Sequence, residues 1–87
     1  MTEELLLQEF EALAERLAIP VIYADVEDGQ GGLCQIRGEN RFILQRKLDI
    51  RTRNDIFARA FAGMPIDGVF VVPHVRDRID VYRSSEA

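Results

Sequence analysis

The chain has 87 residues, 47% of them hydrophobic and 30% charged, with three prolines, a composition that excludes disordered and fibrous classes and predicts one domain over residues 1–87. The formal net charge of −4 speaks against a basic nucleic-acid-binding domain, and no apolar run approaches the roughly 20 residues of a membrane span. The single cysteine excludes an internal disulfide and, with an acidic start where a leader would be basic, leads to the expectation of a cytoplasmic protein.

Leu6, Phe10, Leu13 and Leu17 recur at helical spacing and predict an amphipathic helix over about residues 3–18. Thr2 is placed to cap it, Glu3 and Glu4 suit its positive end, and Pro20 stops it. Leu5, Leu7 and Ala14 widen the apolar stripe, so the helix face carried by Leu5, Leu6, Phe10, Leu13 and Leu17 is a candidate interaction surface.

"VIYADV", residues 21–26, reads as a strand closed by the turn-forming "EDGQGG". The next stretch, "GQGGLCQIRGEN", holds four glycines and the only cysteine, and three chemistries can be tested on it. A dinucleotide fingerprint needs glycine at 29, 31 and 34 followed by a helix, but position 34 is Cys34 and a strand pattern follows. A phosphate loop needs Lys-Ser or Lys-Thr, and neither dipeptide occurs. A calcium loop counted from Asp25, through Glu27 and Asp28, would place glycine sixth and glutamate twelfth, where Gln30 and Ile36 stand. The remaining reading is a wide turn whose glycines take positive φ, followed by a hairpin.

"LCQIR" and "RFILQ" alternate on either side of "GEN". A three-residue loop over Gly38, Glu39 and Asn40 pairs Ile36 with Phe42 and Cys34 with Leu44 on a buried face, with Arg37 and Arg41 opposed on the outer one. Cys34 is then a small core residue, and its use as a nucleophile would need a base. The only histidine is His74, and nothing in the spacing brings the two together.

Thr52 to Asp55 has the form of a capping box ahead of a second helix with Phe57, Phe61 and Met64 on one face and Gly63 at its end. "VFVV", residues 69–72, predicts a short buried strand. Val75, Ile79 and Tyr82 behind Pro73 predict a third helix, with a frayed tail at about 84–87. The expected fold is α+β: a helix, a three-stranded antiparallel sheet containing the hairpin, a helix, a short strand and a helix.

The run "FILQRKLDIRTRNDIFARAFAG" resembles the core of small zinc-metallopeptidase domains of bacterial regulators, whose helix carries His-Glu-x-x-His. Positions 54–63 read Asn-Asp-Ile-Phe-Ala-Arg-Ala-Phe-Ala-Gly, so the resemblance implies such a fold without its ligands or its activity. "GGLCQIRG" is also similar to the core of small uncharacterised bacterial proteins.

Charge is unevenly spread, with eight acids against one base over residues 1–28 and seven bases against three acids over 37–59. Arg37, Arg41, Arg46 and Arg53 are the candidate contacts for nucleic acid or another polyanion. With no complete catalytic or metal constellation, the leading expectation is a non-catalytic interaction or regulatory domain that binds a protein partner or itself. Polyanion binding is the alternative, and an enzyme using Cys34 the third reading. No cofactor, metal or membrane partner is expected.

Overall fold

The computed structural model describes residues 1–27 and 29–85, so Asp28 of the carboxylate-rich turn and Glu86 and Ala87 of the expected tail lie outside it. The chain forms α1 (Glu3–Arg16), β1 (Val21–Ala24), β2 (Gly31–Ile36), β3 (Glu39–Gln45), α2 (Ile50–Ala62) and α3 (Pro73–Ser85).

Thr2 caps α1 through its side chain, which accepts the Leu5 N–H at 3.2 Å. The helix stops before Pro20 acts. Ile19 N–H donates to Ala14 O and Ala18 N–H to Glu15 O, both at 2.9 Å, while Ala18 sits in the left-handed region at φ 60. These are the two bonds of a Schellman motif, with alanine where glycine is usual. Pro20 then sends the chain into β1.

The sheet order is β1-β3-β2. β3 pairs antiparallel with β2 and parallel with β1, setting Val21 beside Phe42 and Tyr23 beside Leu44. The fold is therefore α+β, but the expected all-antiparallel sheet is corrected to a mixed one. β1 and β2 are consecutive in the chain, yet the link between them crosses one end of the sheet and β3 returns between them. Gln45 Nε2 donates to Val26 O at 2.6 Å and holds this crossing.

The hairpin also differs from expectation. Its loop is Arg37-Gly38, at φ 55 and 81, and Ile36 pairs with Glu39, Cys34 with Arg41 and Leu33 with Phe42. Two successive residues at positive φ form the turn whose twist matches the flanking strands, and glycine at its second position favours it. The shift is an odd number of residues. It turns Cys34 away from the core and turns Leu33 toward it.

Phe42 and Leu44 of β3 are fully buried against Phe10 of α1 and Phe57 and Phe61 of α2. Phe42 meets Phe57 at 4.6 Å between ring centroids, 59° between planes, and Phe10 stacks on Phe57 at 5.8 Å. Such pairs add to the burial term of about 1.5–3 kcal/mol per large side chain. α2 begins earlier than the Thr52 box predicts. Asp49 is its cap, accepting the Thr52 N–H at 3.2 Å, and hydrogen bonds from Thr52 hold the Asp49 carboxyl below its ordinary pKa.

α3 buries Val75 and Ile79, and the Arg59 guanidinium lies 5.3 Å from the centre of the half-buried Tyr82 ring. "VFVV" is not a strand. Val71 is buried, Phe70 is 71% exposed, and Arg16 Nη1 donates to Phe70 O at 2.6 Å. The segment packs across the helices, because an apolar run specifies burial and leaves the hydrogen-bonding partner open.

Candidate functional site

All three helices lie on one side of the sheet. The other side is built by alternation from Ile22 and Ala24 of β1, Arg41, Ile43 and Gln45 of β3, and Gly32, Cys34 and Ile36 of β2. Ile22 is 39% exposed and Ile36 43%; Ala24, Cys34, Arg41, Ile43 and Gln45 are half-buried. Among the described residues, the helices pack on the opposite side, and the β1–β2 link lies at one end of this face, where Val26 O accepts from Gln45 Nε2. Arg41 Nη2 bonds Glu39 Oε2 at 3.4 Å within the face. Arg41 Nε and Gln45 Oε1 are buried without a protein hydrogen-bond partner.

The expected interaction helix is placed differently. Leu6, Phe10 and Leu13 are buried in the core and Leu17 packs against it, which leaves only Leu5, 50% exposed, on the outside. The stripe is broad because it meets both the sheet and the other two helices, so its width is absorbed within one copy.

The four candidate arginines do not converge. Arg37 occupies the hairpin turn and Arg41 the open face near it, whereas Arg46 leaves β3 at the opposite end. Arg53 is tied down on the helix side. Its Nη2 donates to Arg46 O at 2.7 Å, and its guanidinium stacks over Tyr23 at 4.7 Å from the ring centre. Arg37 and Arg41 are not opposed across the hairpin, since Cys34 faces Arg41.

Cys34 Sγ has a weak contact with Gly32 O at 3.7 Å. His74 opens α3 in the helical layer, so the sheet stands between the two. The described residues contain no group of three or more histidines, cysteines, aspartates or glutamates arranged to hold a metal, and no helix long and apolar enough to cross a membrane. At the positions compared with His-Glu-x-x-His, Asn54 and Ala58 are fully buried core residues of α2.

A second feature lies at the β1 edge. An open depression of about 420 Å³ is lined by Glu11, Glu15, Ala18, Ile19, Pro20 and Val21, where α1 passes over the start of the strand. Tyr23 OH donates to Glu11 Oε2 at 2.6 Å beside it. Burial, reinforced by the Glu11 carboxylate, pushes the phenol pKa well above its ordinary value, with Arg53 acting in the opposite sense.

Neither surface follows from the expected antiparallel sheet. The signal for the open face was present, since "VIYA" and "RFIL" carry apolar side chains on both faces, the pattern of strands buried on two sides. The Tyr23–Glu11 bridge has no sequence signal, because it depends on how α1 crosses β1.

Compared with protein-family models, with curated proteins and with solved structures, the chain matches none.

Proposed function

We propose that the protein is a non-catalytic interaction domain that docks through its uncovered sheet face, and that a second copy of the chain is its first partner. One observation carries this reading: Ile22, Ile36, Ile43, Cys34 and Ala24 form an apolar surface whose two charged side chains, Arg41 and Glu39, pair with each other. Apolar patches of this kind on small domains mark association sites.

The test is sedimentation velocity from low micromolar to near-millimolar protein, with Ile22→Glu and Ile36→Glu beside the parent. Both positions are exposed enough for a carboxylate to stay in water, so the far-ultraviolet circular dichroism is unchanged. Concentration-dependent association in the parent and its loss in both variants is the expected result. A parent that remains monomeric throughout removes the self-association reading, and association indifferent to both variants removes the sheet face.

A further inference from the structure

The free edge of β1 is a different surface from the open face. Phe42 N–H donates to Pro20 O and Arg46 N–H to Ala24 O, both at 2.9 Å. In a parallel ladder, Pro20, Ile22 and Ala24 therefore turn their main-chain groups toward β3, and the period of two turns those of Val21 and Tyr23 outward. Two amides and two carbonyls stand along this edge. Beside them lies the 420 Å³ depression, with Ile19, Pro20 and Val21 as its apolar part and Glu11 and Glu15 from α1 as its acidic part.

Carboxylates predominate around the edge, and the base that reaches it is Arg53, whose guanidinium lies over the Tyr23 ring. Glu15 is exposed, Glu11 is fixed by the Tyr23 hydroxyl, and Asp25 and Glu27 follow the strand exposed. Arg16, the only base among residues 1–27, is held at Phe70 O.

We infer that the β1 edge takes up an extended segment of another polypeptide, in which lysine or arginine alternates with apolar residues, as a fourth strand beside β1. Its main chain pairs with Val21 and Tyr23. Because side chains alternate across a strand, its basic residues point to the helix side toward Glu11 and Glu15, and its apolar residues lie beside Ile22. Main-chain pairing supplies the affinity and the alternation supplies the selection. Polycations without an extended backbone satisfy the charge but leave the four main-chain groups unpaired.

The experiment titrates the full chain into a fluorescein-labelled peptide of alternating lysine and valine and follows anisotropy. Three comparisons accompany it: the same peptide with glutamate for lysine, the same peptide N-methylated at alternate amides, and the Glu15→Lys protein. Amide hydrogen exchange of the complex reports the edge used. Expected are saturable binding of the basic peptide, weakened about tenfold by Glu15→Lys, no binding of the acidic or N-methylated peptide in the edge-facing register, and slowed exchange at Val21 and Tyr23 but not at Leu33 and Gln35 of the opposite edge. Val21→Pro deletes an outward amide without touching the ladder to β3 and weakens binding in the same way.

Three results overturn the proposal. They are no binding of the basic peptide by a folded parent, equal binding of both N-methylated registers, and protection confined to the β2 edge. Equal binding would mean that charge alone attracts the peptide. Peptide-free association through the open face is read separately by Ile36→Glu on β2, away from the β1 edge, so failure of either surface is distinguishable.

Discussion

At the scale of single residues, three backbone positions decide how the chain turns. Ala18 and Arg37 hold left-handed φ values of 60 and 55, a region that disfavours side chains with a Cβ by roughly 1–2 kcal/mol. Ala18→Gly is expected to raise stability by about 1 kcal/mol, because the Schellman bonds remain while the strain at Ala18 is relieved. Arg37→Asn is expected to add a few tenths to about 1 kcal/mol, since Asn-Gly suits this two-residue turn better than Arg-Gly. Gly31 is the opposite case. It sits at φ 83, and a Cβ there would run into the Ile43 carbonyl of the neighbouring strand, so Gly31→Ala is expected to disrupt the start of β2. Urea denaturation of the three variants checks all of these, and a stabilised Gly31→Ala would contradict the strand pairing at that end of β2.

At the scale of elements, one cluster ties the three helices together. Arg78 of α3 donates to Glu3 of α1 at 2.8 Å and to Asp55 of α2 at 3.2 Å. The buried Asn54 donates to Glu3 O at 2.9 Å and to Glu3 Oε1 at 3.2 Å. The hydrogen bond from Arg78 holds the Glu3 carboxyl below its ordinary pKa, against a smaller opposing effect of burial. A carboxyl lowered in the folded state contributes stability that is in place above its unfolded value, about 4.3, and is lost as pH falls through the folded value. Glu3→Gln is therefore expected to flatten the acid limb of the thermal stability curve and to leave the neutral-to-alkaline side with the parent's slope. An acid limb as steep in Glu3→Gln as in the parent would place the sensitivity elsewhere. The elements themselves were legible to different degrees. Thr2 and the spacing from Leu6 to Leu13 specified α1, because capping and helical period are local signals. The hairpin register was not, since Ile43 and Cys34 are as apolar as the core positions beside them, so burial of one face favoured the three-residue loop whereas the Arg37-Gly38 turn set the register. "VFVV" shows the same gap. Its burial was legible and its lack of a strand partner was not.

At the scale of the whole molecule, β3 is, among the described residues, the only strand with two neighbours, and its two seams close over very different chain distances. Ile36 and Glu39 meet three positions apart, whereas Val21 must find Phe42 across twenty-one. A hairpin closes within about 1–10 μs, and non-local pairing bears the larger loop entropy. The candidate site was legible only in part for the same reason, because the open face and the β1 edge both depend on the distant seam. The crossed order β1-β3-β2 consequently makes the sheet a hinged assembly in time. The hairpin and α2 can persist while β1 detaches, since β1 holds nothing beyond it in the sheet. Native-state hydrogen exchange is expected to release the Ile22 and Ala24 amides at lower denaturant than the β2–β3 amides. Release of all three strands at one denaturant concentration would instead mark the sheet as a single cooperative unit.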